Sequence, residues 1–248
     1  KLLNKTKISI SNDETRHYLN GIYLHKTKLE NKSFLCGVST DSHRLSSSSL
    51  EIDSNTHIES IILPKKTIFQ LISLLEKSNK SIKISNNKSK IKFEMDTGIL
   101  TSKVIDGRFP DYNKVIPKDN DKILKIKLNE FKNSIERVTT VSVDRKEGLK
   151  MFISKDSVQL SVSSPNSGEG IENISAKFNS SDFNISFNSR YLTDIASQIE
   201  NELIIIYFKD PGSPVLIKDP LDKNSFHVVM PMKIWFIVFK AILDYYYF

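Results

Sequence analysis

Gly21-Ile22-Tyr23-Leu24 begins a predicted hairpin that returns through Phe34-Leu35-Cys36-Gly37-Val38-Ser39. Apolar and small residues dominate both runs, and the charged segment between them has the polarity of a turn. A later stretch has the same order, in Gly148-Leu149-Lys150-Met151 and Val158-Gln159-Leu160-Ser161-Val162-Ser163. We therefore predict that the chain contains two copies of one structural unit.

An amphipathic helix is predicted after the hairpin in each copy. Apolar residues recur at i, i+3, i+4 and i+7 in 68–75 and again in 192–199. A further helix precedes each hairpin, over 11–20 in the first copy and after a capping Asn129 in the second. Short strands account for the other apolar runs, including 7–10 and an edge strand over the serine run 46–49. The predicted fold class is α+β, with two amphipathic helices packed on a mostly antiparallel sheet in each copy.

The composition is that of a globular protein with a basic bias. The 248 residues suit about two domains, and 39% are hydrophobic while 26% are charged. The formal net charge is +7 and the isoelectric point is about 9.2. A basic bias of this kind favours a polyanionic partner such as nucleic acid, although it is equally compatible with a role in solubility alone.

Residues that hold metals or phosphates are sparse. Cys36 is the only cysteine, which excludes an intrachain disulfide and favours a reducing compartment, so we expect a cytoplasmic protein. The five histidines are scattered without metal-ligand spacing, and no glycine-rich phosphate loop is present. We predict no cofactor, no metal and no membrane span. The chain starts without Met or a signal sequence, which suggests that it begins inside a longer protein.

Thr40-Asp41-Ser42-His43-Arg44-Leu45 follows the first hairpin and brings the residue types of a nucleophilic triad side by side. Adjacent side chains point to opposite faces of a strand or fan apart in a turn, whereas a triad requires three converging groups. A hydrolase that uses Ser42 and His43 is therefore the weakest interpretation, and we assign no catalytic residue.

The connector between the copies runs from Gly107 to Lys118 and contains Pro110 and Pro117 among apolar residues. Two prolines stiffen a linker, and apolar residues indicate that it packs against the domains it joins. A packed linker leaves a crevice between domains, which is a common place for binding.

Five motifs occur in one order along the chain: Arg16-His17-Tyr18-Leu19-Asn20-Gly21, Thr40-Asp41-Ser42-His43-Arg44-Leu45, Thr101-Ser102-Lys103, Asp106-Gly107-Arg108-Phe109-Pro110-Asp111-Tyr112 and Val228-Val229-Met230-Pro231-Met232. Together they resemble the bacterial DNA polymerase III β subunits, the β sliding clamps. The resemblance implies tandem DNA-clamp domains at 1–113 and 114–234, the middle and C-terminal domains of a three-domain chain. In that family the full-length protein is a head-to-tail homodimeric ring around duplex DNA.

Three departures from the family pattern stand out. The family's first domain is missing, so this chain alone is not expected to close a ring. Ser42 stands where the family has glycine, which restricts the backbone there. An apolar tail, 235–248, follows the last motif; it is too short to span a bilayer, which takes about 20 residues. We expect it to pack on the last domain or to imitate a partner peptide through Ile242-Leu243-Asp244.

The resemblance implies that the crevice binds short apolar motifs of DNA polymerase subunits, the clamp loader and repair proteins. Methionines adapt to varied apolar partners, and prolines keep the walls rigid. The residues assigned to this cleft are Leu19, Thr40, Ser42, His43, Arg44, Leu45, Pro110, Lys114, Val115, Asn188, Tyr191, Pro214, Val228, Met230, Pro231 and Met232.

The resemblance also implies contacts to the phosphates of double-stranded DNA, without reading its sequence. We assign these contacts to Arg16, His17, Tyr18, Lys65, Lys132 and Arg137, the last three from their polar helix faces, for which plain solvation is equally open. The predicted function is that of a sliding clamp, a non-catalytic processivity factor. The alternative is a basic nucleic-acid-binding module of two repeats that never forms a ring.

Overall fold

The computed structural model describes residues 1–77, 80–142, 148–164 and 167–232, and the two predicted repeats are visible in its order of elements. The tail 235–248 lies outside the described residues. The first repeat comprises α1 (Leu2–Lys7), a 3₁₀ helix (Glu14–Leu19), β1 (Gly21–Leu29), β2 (Lys32–Thr40), β3 (Arg44–Ile52), β4 (Ile61–Pro64), α2 (Lys65–Leu75), β5 (Lys83–Asn86), β6 (Lys90–Met95) and β7 (Gly98–Lys103).

The second repeat follows a short 3₁₀ helix in the connector (Tyr112–Val115). It comprises β8 (Lys122–Lys127), α3 (Leu128–Val138), a 3₁₀ helix (Thr139–Val141), β9 (Gly148–Ile153), β10 (Ser157–Ser164), β11 (Gly168–Phe178), β12 (Phe183–Asn188), α4 (Ser189–Ala196), β13 (Leu203–Phe208), β14 (Val215–Lys218) and β15 (Ser225–Val229). The α+β fold class is therefore confirmed, with α1 packed on α2 and α3 packed on α4.

One antiparallel sheet of twelve strands runs through both repeats, in the order β12-β9-β10-β11-β8-β13-β14-β15-β3-β2-β1-β4. A separate sheet holds β5, β6 and β7. The repeats are joined where β15 pairs with β3, in a register that places Val229 opposite Arg44 and Ser225 opposite Ser48. We call this pairing the seam.

Each repeat has its own apolar core. The core of the second includes Phe131, Phe187 and Phe208, which are completely buried. The core of the first includes Ile22, Leu63 and Phe93. A third cluster, which includes Leu45, Phe109 and Val228, lies between them and draws on both repeats and the connector. The connector is therefore packed, as its composition predicts.

Buried polar groups line the seam. The Lys5 ammonium donates to Asp222 Oδ2 at 2.7 Å, and both side chains are almost completely buried. Beside them, Ser46 Oγ lies within hydrogen-bond distance of both Ser9 Oγ (2.6 Å) and His227 Nδ1 (2.8 Å). These bonds connect α1, the turn after it and β3 of the first repeat to β15 and the loop before it in the second.

Three sequence expectations are wrong in detail. The predicted strand 7–10 is instead the end of α1 and the turn after it, because an alternation of four residues is too short to decide between strand and helix. The serine run lies inside β3, which pairs with strands on both sides and is no edge. Asn129 does not cap α3, since that helix begins one residue earlier, with Lys127 at its N-cap position.

Candidate functional site

A cavity of about 300 Å³ lies where the turn after β2, the connector and the end of β15 meet. We call it the cleft. It is mainly apolar and draws on both repeats, which is typical of sites that bind apolar ligands at domain boundaries. The lining residues are Arg16, Tyr18, Leu19, Thr40, Ser42, His43, Arg44, Leu45, Pro110, Asp111, Tyr112, Val115, Val228 and Met230.

The turn between β2 and β3 forms one wall, and Asp41 holds its shape. Asp41 Oδ1 accepts hydrogen bonds from the backbone N–H groups of His43 (3.0 Å) and Arg44 (2.9 Å). Thr40 Oγ1 donates to the carbonyl of Arg44 at 2.7 Å. Ser42, at the tip, has a φ of 78°, in the left-handed region that favours glycine. The hydrogen bonds of Asp41 and Thr40 therefore hold Ser42 in a left-handed backbone conformation that serine disfavours.

Arg44 joins this turn to the second repeat. Its guanidinium donates to Asp41 Oδ2 (3.1 Å) and to Asp194 Oδ2 (2.7 Å), and it stacks 4.3 Å from the centre of the Tyr191 ring. Only 9% of the side chain is exposed. The pKa of the Tyr191 phenol is raised, mainly by burial. Arg44 thus contributes a paired cation that links the turn to α4.

The end of β15 forms a second wall, which adjoins the turn. The backbone N–H of Met230 donates to the carbonyl of His43 at 2.8 Å, which continues the seam into the turn. The backbone N–H of Met232 donates to the carbonyl of Ser186 at 2.7 Å. Both methionine side chains remain about 40% exposed, at 41% and 38%. The backbone is therefore fixed while two flexible apolar side chains stay available to a ligand.

The connector closes the cleft from a third side. Phe109 is buried and stacks on Tyr23, with ring centroids 5.0 Å apart. The Tyr112 hydroxyl lies 3.0 Å from His25 Nε2, and burial raises the pKa of this phenol well above its usual value. Burial also lowers the pKa of His25. Both groups are therefore neutral near pH 7, which suits an apolar wall.

Ten of the sixteen residues assigned to the cleft from the sequence line this cavity: Leu19, Thr40, Ser42, His43, Arg44, Leu45, Pro110, Val115, Val228 and Met230. The other six, Lys114, Asn188, Tyr191, Pro214, Pro231 and Met232, do not line it. Tyr191 nevertheless contacts a lining residue, because its ring stacks against the guanidinium of Arg44. Asn188 caps α4 by accepting from the backbone N–H of Arg190, and Lys114 pairs with Asp111. The sequence reasoning missed Asp111 and Tyr112 as lining residues, although both lie in a motif that it quoted.

The residues assigned to DNA lie either in or next to the cleft or on the helices α2 and α3. Arg16 and Tyr18 line the cleft itself, and Arg16 donates to Asp13 and Ser42. The imidazole of His17 lies 3.1 Å from the carbonyl of Asp106. Lys65 and Lys132 lie on α2 and α3, whereas Arg137 forms a bidentate pair with Glu172. Its charge is therefore already matched by a carboxylate.

The arrangement offers no triad geometry. Among the described contacts, Ser42 Oγ accepts from Arg16 and is not bonded to His43, and both side chains of the pair are exposed. Within 1–77, 80–142, 148–164 and 167–232, no group of three or more His, Cys, Asp or Glu side chains could hold a metal ion. No helix in those ranges is long and apolar enough to cross a membrane.

Comparison with known proteins identifies the fold. The family model for the DNA polymerase III beta subunit, central domain, matches residues 1–111, and that for the C-terminal domain matches residues 113–233. The chain belongs to the DNA polymerase III beta subunit family. It is 36% identical over 235 residues to the Beta sliding clamp of Caulobacter vibrioides and 29% identical over 234 residues to that of Escherichia coli K12. Each alignment covers 94% of this chain and 63% of the relative, so the chain spans under two thirds of these beta subunits.

Solved beta subunits share the arrangement described above. The Caulobacter crescentus beta sliding clamp has a TM-score of 0.91 at 36% identity, covering 94% of this chain and 62% of that one. The Bartonella birtlesii sliding clamp bound to griselimycin has a TM-score of 0.90 at 36% identity, covering 94% and 63%.

Replacing Ser42 by glycine is expected to raise the free energy of unfolding by roughly 0.5–1 kcal/mol. A left-handed φ costs a non-glycine residue about 1 kcal/mol, and this exceeds the exposed hydrogen bond from Arg16 that the change removes. Urea unfolding measures the change. Ser42→Ala is the matched control, because it keeps the Cβ and loses the same bond; equal stability of the two variants would contradict the strain.

Proposed function

We propose that the chain is part of a sliding clamp, a processivity factor that encircles duplex DNA and tethers replication and repair proteins. The observation that supports this most is the cleft, in which the turn, the connector and Met230 form one apolar surface from distant parts of the sequence. Family membership supports the same function. As the chain spans 63% of its relatives, the ring and its homodimeric form are proposed for the longer protein.

The cleft is proposed to bind short apolar segments of polymerase subunits, the clamp loader and repair proteins. Its size, about 300 Å³, suits a few apolar side chains. Met230 is exposed at one wall and Met232 is exposed just beyond it along the chain, so both can adjust to different partners. Tyr191, Asn188, Pro214, Pro231 and Lys114 lie outside this cavity, and we propose that they contact longer segments that extend past Arg44.

DNA is proposed to bind through phosphate contacts only. The net charge of +7 and the basic side chains of Lys65 and Lys132 on the helices support this. Such contacts hold a duplex without reading its sequence, as sliding requires. Arg16, His17 and Tyr18 remain proposed DNA contacts, whereas Arg137 is the weakest of the set because Glu172 already pairs with it.

The domains are proposed to be 1–113 and 114–234, with the boundary in the connector. The protein is proposed to act in the cytoplasm and to have no nuclease, ATPase or polymerase activity of its own. The Ser42 hydroxyl accepts a hydrogen bond from Arg16 and not from His43, and both side chains are exposed, which supports the lack of hydrolytic chemistry. Any ATP chemistry in ring loading would belong to the loader.

Griselimycin, which the Bartonella clamp binds, provides a direct test of the cleft. We expect the chain to bind it in a calorimetric titration, and Met230→Ala to weaken binding by about tenfold, because an apolar side chain of this size contributes at least 1 kcal/mol at the centre of an interface.

Leu221→Ala is the matched control for that titration. Leu221 is the more exposed apolar side chain, at 81%, and it does not line the cleft. Its replacement should leave the dissociation constant unchanged. Equal weakening by the two changes, or the absence of binding to the parent chain, would overturn the assignment of the cleft.

A further inference from the structure

A row of four aromatic rings attaches the connector to the first strand of the first repeat. Phe109 stacks on Tyr23 with an interplanar angle of 7°, and Tyr23 stacks on His25 with ring centroids 4.7 Å apart. Tyr112 completes the row, since its ring centroid lies 5.7 Å from that of His25. Tyr23 and His25 are two residues apart on β1, so they lie on one face of the strand. The connector is therefore held to this face through two of its rings.

Tyr112 belongs to the wall of the cleft, whereas His25 does not. Of the four rings in the row, only Tyr112 lines the cavity. It is also the first residue of the 3₁₀ helix that ends at Val115, a lining residue that is 51% exposed. The other connector residues that line the cavity are exposed as well, so burial does not fix them. The position of this wall therefore depends on the contacts that Phe109 and Tyr112 make behind it.

The hydrogen bond between Tyr112 and His25 has a defined direction. His25 Nδ1 lies 3.4 Å from the carbonyl oxygen of Lys26, which can only accept, so Nδ1 carries the ring proton. Nε2 of the neutral ring is then an acceptor, and the Tyr112 hydroxyl, 3.0 Å away, donates to it. The Cys36 thiol also lies beside this hydroxyl, but sulfur is a weak acceptor. Without His25 Nε2, the half-buried hydroxyl would therefore lose its main partner.

We propose that His25 is a positioning residue for the cleft. Its imidazole holds Tyr112, and with it the connector wall, in the place where an apolar ligand meets that wall. The inference rests on the proposed function, since it concerns the same cleft, and it extends that function to a residue outside the cavity. A ligand gains less from a wall that it must first order, so a loosened wall weakens binding although no lining side chain is removed.

Two substitutions at His25 separate its hydrogen bond from its ring. His25→Phe keeps a ring to stack on Tyr23 but offers Tyr112 no acceptor, whereas His25→Gln offers an amide oxygen in place of Nε2. In calorimetric titrations with griselimycin, we expect His25→Phe to weaken binding by about threefold to tenfold, the range that one hydrogen bond contributes. His25→Gln should restore most of the affinity of the parent chain.

His57→Phe is the matched control for these titrations. It makes the same chemical change at a histidine whose side chain is 86% exposed and which does not line the cleft. We expect it to leave the dissociation constant unchanged. Equal weakening by His57→Phe and His25→Phe would overturn the proposal.

A double-mutant cycle shows whether His25 acts through Tyr112. Tyr112→Phe removes the donor of the same bond, so His25→Phe should weaken binding no further in a chain that already carries Tyr112→Phe. Equal weakening in both backgrounds, or none in the parent chain, would overturn the proposal. So would a loss in His25→Gln as large as that in His25→Phe, because the ring and not the hydrogen bond would then be responsible.

Amide hydrogen exchange tests the wall without a ligand. The backbone N–H of Asn113 donates to Asp111 Oδ1 at 3.3 Å, and that of Lys114 donates to the Asp111 carbonyl at 3.4 Å. We expect both amides to exchange at least about threefold faster in His25→Phe and at the parent rate in His25→Gln. Unchanged exchange in His25→Phe would overturn the role of His25, whereas a parent chain that did not bind griselimycin would contradict the proposed function instead.

Discussion

Replacing Lys5 by alanine is expected to lower the free energy of unfolding by about 3 kcal/mol, because the buried Asp222 carboxylate loses its buried cation and keeps only the exposed Lys1 ammonium. The Lys5 ammonium lies 2.7 Å from Asp222 Oδ2, and the two side chains are only 3% and 8% exposed. The pair also spans the seam, so its loss weakens the contact between the repeats. Chemical denaturation at pH 7 measures the loss.

Lys1→Ala is the matched control for that change. Its ammonium lies 3.3 Å from the same Asp222 oxygen, but its side chain is 56% exposed. Exposed ion pairs contribute little, so we expect a loss below about 1 kcal/mol. If both alanine variants lost the same small free energy of unfolding, burial of the Lys5–Asp222 pair would not contribute to stability, and the prediction would be wrong.

The pKa of Asp222 describes the same balance. Burial acts to raise it, but hydrogen bonds from Lys5 and from the backbone of Asn224, with attraction to Lys5, lower it to about 2. A carboxyl group with a depressed pKa stabilises the folded state at pH values above its unfolded pKa, which is near 4. This stabilisation is lost as the pH falls toward 2. Replacing both members by apolar residues, Lys5→Met with Asp222→Leu, should cost far less than Lys5→Ala, since no charge remains buried.

Acidification from pH 6.5 to pH 5 is expected to lower the stability of the chain by about 2 kcal/mol through His227 alone. Burial, and then repulsion from Lys5 and Arg44, lowers the pKa of His227 to about 3, although Asp222 opposes this. The unfolded chain binds a proton near pH 6.5 and the folded chain does not. The contribution of His227 to stability is therefore complete above pH 6.5, and it is lost progressively as the pH falls toward 3.

His227→Gln isolates this contribution. Glutamine does not titrate, and it can still hydrogen-bond to Ser46, which lies 2.8 Å from His227 Nδ1. We expect the stability of the variant to change less between pH 6.5 and pH 5 than that of the parent, by about 2 kcal/mol, in urea titrations at each pH. Parallel pH profiles for the two proteins would show that the pKa of His227 does not differ between the folded and the unfolded chain, which would contradict the prediction.

Much of the fold could be predicted because its helices and hairpins carry local periodic signals. The stripe over 68–75 corresponds to α2, and the repeated hairpins correspond to β1–β2 and β9–β10. The contact of the connector with the domains followed from its apolar residues: Phe109 is buried and Tyr112 is half-buried, although Val115 is 51% exposed. The Thr40–Leu45 turn was correctly placed at the end of a strand.

The seam could not be predicted from the sequence. Ser46, Ser47 and Ser48 are polar and resemble an exposed edge, yet all three are buried between β2 and β15. Their burial depends on partners that lie far along the chain, including His227 for Ser46 and Ser225 for Ser48. Lys5 was equally hidden, because a lysine in a short helix indicates solvent unless its buried carboxylate partner is known.

The cleft was predicted mainly through resemblance, since most of its residues alone would be taken for core. Leu45 and Val228 are indeed buried core residues as well as lining residues. Arg44 is the informative case: in the sequence it is a charged residue at the rim, whereas the fold surrounds it with Asp41, Asp194 and the Tyr191 ring.

The seam has a consequence for how the chain comes apart. Two repeats with separate cores could melt independently, in two calorimetric transitions. Here five residue pairs of β3 and β15, the Lys5–Asp222 bridge and the shared cluster around Phe109 connect those cores. Melting of either half would expose the strand edge and the buried charges of the other. We therefore expect the boundary between the repeats to be no boundary of cooperativity, so that the two repeats unfold in a single calorimetric transition.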